Sequence, residues 1–269
     1  MSAEILKNVK KFGINPKKRL GQNFLLDEDI CKKIAECGFE NQKDAQDKVV
    51  LEIGAGPGGL TKSILELSPK KLYSVEIDRR AIVLLNEMAI NYPNLQIIQG
   101  DALKLKIKDI TNERVSVIAN LPYNIGTQLL VNWMHELSQV DSLVLMLQKE
   151  VVDRIVSDKG SKDYGRLSIL VQSLCGTEKC FDVQSEYFYP QPKVTSSVVR
   201  IIPKKERMPS EVLFTLEKIT NLAFNQRRKM IRSSLKSIIL PDYINQSDRP
   251  EDLSVEDFIN IARCNVGNL

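Results

Sequence analysis

Histidine, paired cysteines and long apolar runs are scarce in this 269-residue chain, and each scarcity excludes a class of protein. The single histidine, His135, lacks the histidine partners that a metal site or a catalytic triad would need. The cysteines include no Cys-x-x-Cys pair, which argues against zinc or a disulfide framework and favours a reducing cytoplasm. No apolar run approaches the ~20 residues that span a bilayer. We therefore expect a cytoplasmic protein, a monomer, with neither a metal nor a membrane partner.

The net charge of +4 conceals two basic clusters. The first lies within residues 1–24 and the second within 225–236. Their members are Lys7, Lys10, Lys11, Lys17, Lys18 and Arg19, then Arg227, Arg228, Lys229, Arg232 and Lys236. Clusters of this kind can neutralise phosphates, but they are equally typical of a solvated surface. Charge alone therefore leaves a nucleic-acid partner open.

Apolar runs alternate with segments of helical periodicity through the first half of the chain. Strands are predicted at 49–53, 71–77, 95–98, 115–119 and 142–147. Strands alternating with helices indicate an α/β fold with a mostly parallel sheet and helices on both faces. Two later segments, 179–183 and 197–202, are predicted to add antiparallel edge strands.

The distribution of polar and proline residues predicts three parts. Residues 1–20 read as a flexible basic segment, 21–206 as the α/β domain and 207–269 as a small helical domain. A polar, proline-bounded linker near 203–209 separates the last two parts. Helices are predicted in the small domain at 211–224, 226–239 and 254–263. Asp27 is a plausible N-cap for an earlier helix that runs to about residue 37.

A glycine loop follows the first predicted strand. Gly54, Gly56 and Gly59 match the G-x-G-x-x-G pattern, which lets a backbone approach a nucleotide closely. Glu76 ends the second strand, 22 positions after Gly54, where it could accept both hydroxyls of a ribose. An NAD-dependent dehydrogenase would share these two features, so they do not choose the cofactor.

Three further residues favour S-adenosylmethionine. Glu52 precedes the glycines, and Pro57 lies inside a loop that would face a methionine moiety rather than a pyrophosphate. Asp101 follows the third strand, where an acidic side chain can accept a hydrogen bond from the amino group of a bound adenine. Asp101 could instead cap a turn. Ligands bind at the carboxyl ends of strands in such sheets, where these residues would meet.

The tetrapeptide Asn120-Leu121-Pro122-Tyr123 follows the fourth strand and indicates methylation of an amine. An adenine amine is a poor nucleophile because its lone pair is delocalised into the ring. Two acceptors, the Asn120 side chain and the Leu121 carbonyl, would favour a tetrahedral nitrogen. Tyr123 offers a face for stacking, which contributes about 1–3 kcal/mol per base. Catalysis would then rest on orientation and electrostatic complementarity.

Nine motifs occur together and in order along the chain. They are Q-N-F-L at 22–25, E-x-G-x-G-P-G at 52–58, V-E-I-D at 75–78, G-D-A at 100–102, N-L-P-Y-N-I at 120–125, L-Q-K-E-V-V at 147–152, Y-G-R-L-S at 164–168, P-K-V-x-S at 192–196 and A-F-N-Q-R-R-K at 223–229. From about Lys17 to the C-terminus, the chain closely resembles the bacterial small-subunit ribosomal RNA adenine N6-dimethyltransferases, the KsgA or RsmA family.

The resemblance implies a Rossmann-like methyltransferase domain and S-adenosylmethionine as cofactor. It also implies dimethylation of two adjacent adenosines in the 3′-terminal hairpin loop of 16S rRNA, within the small ribosomal subunit. The cofactor contacts that it implies are Asn23, Leu25, Gly54, Glu76, Asp101 and Asn120, with 22–25 as a lid. Phe188 would stack on the target base opposite Tyr123. Tyr189, where many relatives carry a small residue, is an alternative stacking ring.

The same reading assigns RNA contacts to the basic residues. The candidates are Lys149, Arg154, Arg166, Arg227, Arg228, Lys229 and Arg232, the last four on a predicted C-terminal helix. The closest rival is the class that methylates large-subunit rRNA and confers macrolide resistance, which shares the fold and a similar tetrapeptide. The motifs at 147–152 and 164–168 favour the small-subunit class. A non-catalytic ribosome assembly factor is the other alternative, and the intact tetrapeptide and Glu76 argue against it.

Overall fold

The computed structural model describes residues 13–268, apart from the side chain of Lys18. The described residues form two compact units, 13–152 with 178–202 and 153–177 with 203–268. In this part of the chain, no helix is long and apolar enough to cross a membrane. The first unit is a sheet covered by helices, and the second is mainly helical.

The strands and helices are numbered in chain order. The strands are β1 (Phe24–Leu25), β2 (Val49–Ile53), β3 (Lys71–Glu76), β4 (Leu95–Gln99), β5 (Val115–Asn120), β6 (Val140–Gln148), β7 (Cys175–Val183), β8 (Phe188–Tyr189) and β9 (Ser196–Pro203). The α-helices are α1 (Glu28–Glu36), α2 (Gln42–Asp47), α3 (Gly59–Glu66), α4 (Arg79–Ala89), α5 (Ile107–Ile110), α6 (Gly126–Met134), α7 (Lys149–Val156), α8 (Arg166–Leu174), α9 (Ser210–Asn225), α10 (Ile231–Ser234) and α11 (Val255–Cys264). Short 3₁₀ turns lie at Lys18–Leu20, Leu137–Gln139, Ser185–Tyr187 and Pro250–Asp252.

The main sheet has the strand order β4-β3-β2-β5-β6-β9-β7. The five strands from β4 to β6 are parallel, and β9 pairs antiparallel with β6. Residues on β2 and β5 are almost entirely buried, as expected for strands covered on both faces. The predicted α/β fold with a mostly parallel sheet and an antiparallel edge is confirmed.

The strand register places polar side chains at one edge of the sheet. Glu52 on β2 lies beside Ser74 on β3, and Glu76 at the end of β3 lies beside Gln99. Asn120 at the end of β5 pairs with Met146 on β6. Because β2 to β5 are parallel, their carboxyl ends meet at this edge. The register therefore brings Glu52, Glu76 and Asn120, which the sequence predicts to be functional, to the same edge of the sheet.

Local sequence explains where the helices begin. Asp27 caps α1 by accepting from the Ile30 amide at 3.1 Å, as predicted. Ser254 caps α11 in a reciprocal capping box with Asp257, whose backbone N–H reaches the serine oxygen at 3.1 Å. Gly58 begins α3 at φ +83°, a left-handed conformation that glycine adopts without a steric penalty.

The second unit has its own apolar core, and its boundary differs from the prediction. Tyr164 and Ile169 share that core with Phe258 of α11, and the Tyr164 ring packs edge-on to Phe224 at 6.3 Å. Residues 153–177 therefore belong with the helical unit, whereas the sequence placed them inside a domain at 21–206. The proline-bounded linker marks only one of the places where the chain passes between the units.

The predicted helix at 226–239 is wrong. Gln226 leaves helical geometry at φ −124° and ψ +41°, a turn follows, and α10 spans only Ile231–Ser234. The physical reason is tertiary: the Arg227 guanidinium donates to the carbonyls of Lys162 at 2.7 Å and Ser161 at 3.1 Å, and it pairs with Glu251. These bonds hold the chain in a turn although its residues are good helix formers.

The segment predicted as flexible at 1–20 lies partly outside the described residues, which begin at 13. Its described part is packed onto the first unit. Ile14 is completely buried, and Arg80 donates to the carbonyls of Gly13 at 2.9 Å and Asn15 at 3.0 Å. An apolar anchor and a guanidinium thus fasten residues 13–20, and the flexibility expected of the segment stays a prediction.

Candidate active site

A cavity of about 260 Å³ lies at the carboxyl ends of β2 to β5 in the first unit. Most of the predicted catalytic and cofactor-binding residues border it. They are Asn23, Leu25, Gly54, Glu76, Asp101, Asn120, Leu121 and Tyr123. The position agrees with the rule that ligands of parallel α/β sheets bind at this edge. Residues from four strand ends and from the N-terminal segment thus form one site.

The glycine loop supplies a wall without side chains. Gly54 has φ +74° and Gly56 has φ +54°, both in the left-handed region. A Cβ on Gly56 would lie 3.2 Å from the Phe24 ring, so the Phe24 side chain packs directly on this backbone. Any larger residue would strain the backbone and displace that ring. The two glycines are therefore required by the shape of the loop.

Glu52 is buried beneath the glycine loop. Its Oε2 accepts from Thr61 Oγ1 at 2.7 Å and from the Ser74 hydroxyl, its neighbour across the sheet. Burial raises the pKa of Glu52 to about 7, although these two hydrogen bonds act in the opposite direction. The folded protein therefore holds a carboxyl group that titrates near neutrality at the wall of the cavity.

Glu76 is held rigidly by backbone amides. Its Oε2 accepts from Gly56 N at 2.8 Å, and its Oε1 accepts from Ile77 N at 2.7 Å and Asp78 N at 2.8 Å. Burial raises the pKa of Glu76, and the three amide bonds partly offset that rise. A fixed carboxylate at the end of β3 matches the predicted acceptor for a ribose diol.

Asp101 borders the cavity and also caps a turn. Its Oδ1 accepts from Leu103 N at 3.1 Å, and Lys104 Nζ lies 4.0 Å from Oδ2. The sequence left these two interpretations open as alternatives, and the geometry permits both. A capped turn holds the carboxylate in place, which would also suit a contact with an adenine amine.

The tetrapeptide lies where β5 ends. Asn120 Nδ2 donates to the Asn23 carbonyl at 3.4 Å, and Leu121 N donates to the Met146 carbonyl at 3.2 Å. Since the amide nitrogen of Asn120 is turned to Asn23, its oxygen faces a different direction and can serve as an acceptor. Tyr123 is half-buried, with its hydroxyl 2.6 Å from Ser196 Oγ, and burial raises the pKa of Tyr123.

The N-terminal segment covers the cavity from Arg19 to Leu25. Its strand β1 pairs antiparallel with β8, so that Leu25 lies opposite Phe188. Gln22 ties the segment to the residue before α4, because its Nε2 donates to Asp78 Oδ2 at 3.3 Å. The placement agrees with the lid at 22–25 that the family resemblance implies.

Phe188 does not border the cavity in the described structure. It is 4% exposed and packs in the core cluster that contains Leu25 and Val198, whereas Tyr189 is 46% exposed. The predicted stacking of Phe188 on a target base opposite Tyr123 thus remains a prediction. Burial in the core gives the Phe188 ring a structural role as well.

The basic candidates fall in both units. Lys149, in the first unit, donates to Asp182 Oδ2 at 3.0 Å. The second unit holds the others, which are Arg154, Arg166, Arg227, Arg228, Lys229 and Arg232. Arg166, Arg228, Lys229 and Arg232 are exposed, and the last three lie on the turn after α9 and on α10. The Arg227 guanidinium instead ties the turn to the loop at 161–162, which makes it a structural clamp.

Sequence reasoning assigned no role to Asp78, Arg80 or Ser196. Asp78 caps α4 and pairs with the guanidinium of Arg80, which holds the pKa of Asp78 down at about 2. The quoted V-E-I-D and P-K-V-x-S motifs contain Asp78 and Ser196, so a signal existed for both. Nothing in the sequence marked Arg80, whose partners Gly13 and Asn15 lie about 65 positions away.

Comparison of the sequence with known proteins shows to which family the chain belongs. A family model described as ribosomal RNA adenine dimethylase matches residues 13–265. The chain belongs to this family. The ribosomal RNA small subunit methyltransferase A of Agrobacterium fabrum is 43% identical over 267 residues, which cover 95% of each chain. A protein of the same name from Rhodospirillum rubrum is 41% identical over 94% of this chain and 88% of its own.

Two solved structures resemble the chain over most of its length. A dimethyladenosine transferase from Plasmodium falciparum matches with a TM-score of 0.74 and 26% identity, covering 88% of this chain and 95% of its own. The 23S rRNA methyltransferase ErmE matches with a TM-score of 0.70 and 25% identity, covering 90% of this chain and 98% of its own. Both support the methyltransferase fold.

The protein is an S-adenosylmethionine-dependent methyltransferase, as predicted. Its cavity fits that cofactor, because Glu76 is a fixed buried acceptor and the glycines leave room beside it. The NAD-dependent dehydrogenase that the glycine loop alone allowed is not supported. Within residues 13–268, no group of three or more His, Cys, Asp or Glu side chains is arranged to hold a metal ion.

Proposed function

We propose that this enzyme dimethylates the N6 atoms of two adjacent adenosines in the 3′-terminal hairpin loop of 16S rRNA. The substrate is the rRNA within the small ribosomal subunit, and the reaction takes place in the cytoplasm. The relatives from A. fabrum and R. rubrum, at 43% and 41% identity, are named small subunit methyltransferases. The 23S rRNA methyltransferase is only 25% identical, so a large-subunit substrate is less favoured.

The observation that carries the proposal is the placement of Asn120 and Tyr123 on the same cavity as Glu76 and Asp101. In the proposed reaction, Glu76 accepts hydrogen bonds from the ribose hydroxyls of the cofactor, and Asp101 accepts a hydrogen bond from its adenine amine. Asn23, Leu25 and Gly54 complete the cofactor contacts. S-adenosylmethionine supplies an activated methyl group on its sulfonium. Every other catalytic contribution comes from how the protein holds the target amine.

Asn120 and the Leu121 carbonyl each accept a hydrogen bond from the target amine. Two acceptors draw its hydrogens out of the base plane, which concentrates the lone pair on nitrogen. The bond from Asn120 Nδ2 to the Asn23 carbonyl fixes the amide beforehand, so little reorganisation accompanies the reaction. Tyr123 stacks on one face of the base, and Phe188 stacks on the other.

The target adenosines must leave their stack to enter the cavity, which favours an unpaired loop as substrate. Exposed basic residues of the second unit, Arg166, Arg228, Lys229 and Arg232, bind the phosphates of the RNA in this proposal. Lys149 and Arg154 are further phosphate contacts. Arg227 contributes by holding the turn that carries Arg228 and Lys229.

The test is transfer of labelled methyl groups from S-adenosylmethionine to ribosomal particles that lack the modification. Small subunits are expected to accept label, and large subunits are not. Asn120→Ala is expected to keep cofactor binding largely intact, because the other cofactor contacts remain, and to lose on the order of 100-fold in turnover, the usual cost of removing one preorganised polar contact. Asn91→Ala, a change at an exposed turn, is the matched control. Wild-type turnover in Asn120→Ala, or preferential labelling of large subunits, would refute the proposal.

A further inference from the structure

Ser196 connects the reaction loop to the antiparallel strand of the sheet. It is the first residue of β9, is completely buried, and lies opposite Gln148 at the end of β6. Its Oγ is 2.6 Å from the hydroxyl of Tyr123, which is 73 positions earlier in the chain. A serine on the sheet thus holds the far end of the Tyr123 ring, which borders the cavity together with Asn120.

The contact restricts the side-chain motion of Tyr123. Pro122 fixes the backbone before Tyr123, but the side chain could still rotate about its two torsion angles. A hydrogen bond at the para position, to a group that is itself part of a strand, fixes where the far end of the ring lies and so restricts the first of these angles. Because a phenol O–H prefers to lie in the plane of its own ring, a fixed partner also favours one orientation of that plane, on which stacking depends, before the base arrives.

Burial favours the same conclusion. A phenol without a partner at this depth would lose a hydrogen bond to water and gain nothing in return. Burial also raises the pKa of Tyr123, so that the phenol remains neutral and can donate to Ser196. The pair is therefore an uncharged tether.

We propose that Ser196 is a positioning residue for methyl transfer, which holds the Tyr123 ring in the plane that stacks on the target adenine. This proposal rests on the proposed function for the identity of the base. Ser196 does not border the cavity, so it acts through Tyr123. In this proposal the serine of the P-K-V-x-S motif has a role in positioning Tyr123, in addition to its place in β9.

The test compares Ser196→Ala, Tyr123→Phe and the double variant in the full chain. Each single variant is expected to lower kcat by about three- to tenfold, the factor that one net hydrogen bond commonly supplies, with unchanged affinity for S-adenosylmethionine. The double variant should be no slower than the slower single variant, because both changes remove the same interaction. Ser142→Ala, a buried serine at the start of β6, is the control and should retain wild-type kcat.

A second measurement does not depend on activity. In protein labelled with ¹³C on its tyrosine rings, the Tyr123 resonance is identified by its loss in Tyr123→Phe. It should move in Ser196→Ala and stay in place in Ser142→Ala. An unmoved resonance, wild-type kcat in Ser196→Ala, or a double variant whose loss is the product of the single losses would overturn the proposal. Failure of the wild type to methylate small subunits would refute the substrate instead, while the spectrum still decides on the tether.

Discussion

Replacement of Glu52 by glutamine should change how the stability of the protein depends on pH. Glu52 is 1% exposed, and burial raises its pKa to about 7. Glutamine is nearly isosteric, and its oxygen can still accept from Thr61 and Ser74, but it carries no charge. The variant therefore removes the titration and retains much of the packing.

The sign and size follow from linkage. A carboxyl group whose pKa is raised by folding stabilises the protein below its unfolded pKa, near 4.5, and this stabilisation is lost as the pH rises through about 7. At about 1.4 kcal/mol per pKa unit, the wild type should lose about 3 kcal/mol of unfolding free energy across this window relative to Glu52→Gln. Burial of the charged form is the physical cause of the loss.

The assay is urea denaturation of the cofactor-free protein between pH 4.5 and 8, for both chains in parallel. The difference in unfolding free energy between variant and wild type should grow with pH and level off above about pH 7.5. Glu66→Gln, an exposed change on α3, is the control and should show no such growth. A difference for Glu52→Gln that stays constant over the whole range would refute the reasoning.

Five further substitutions test the roles of other residues. Arg80→Ala should lower the free energy of unfolding by about 2 kcal/mol at neutral pH, as measured by urea denaturation. Because the pKa of Asp78 is lowered on folding, the ion pair stabilises the fold above about pH 3.8, and this stabilisation is lost as the pH falls through about 2. An equal loss of unfolding free energy at pH 2 and pH 7 would contradict this prediction. Arg227→Ala should lower the melting temperature, because its guanidinium holds the turn. Arg228→Ala should leave the melting temperature unchanged and reduce the dependence of the logarithm of the RNA-binding constant on the logarithm of salt concentration by about 1. The reverse pattern would make Arg228 the structural residue and Arg227 the phosphate contact. Phe188→Leu should lower turnover about tenfold and Tyr189→Ala should not, because stacking contributes about 1–3 kcal/mol; the opposite result would assign the stacking to Tyr189.

Local patterns in the sequence predicted the main sheet well. Each strand from β2 to β6 is an apolar run of sufficient length, and a cap such as Asp27 is recognisable within a few residues. The same holds for the site: the glycines, Glu76 and Asp101 each follow a strand, and parallel strands must end at a common edge. Six of the eight predicted residues that line the cavity do so for this reason, whereas Asn23 and Leu25 lie on the N-terminal segment.

Contacts between distant parts of the chain could not be predicted in this way. The pairing of β1 with β8 joins two-residue strands about 160 positions apart, which leave no periodicity to detect. The helix predicted at 226–239 fails because Arg227 bonds to Ser161 and Lys162 in preference to continuing a helix. The bond between Tyr123 and Ser196 likewise depends on the register of β6 with β9.

The central claim concerns which nucleotides receive methyl groups. Small subunits that lack the modification would be incubated with the enzyme and S-adenosylmethionine, and the rRNA would then be digested and mapped by mass spectrometry. We predict N6,N6-dimethyladenosine at two adjacent positions in the 3′-terminal hairpin loop of 16S rRNA. Methylation confined to 23S rRNA, or to a site other than the adenine amine, would contradict the account.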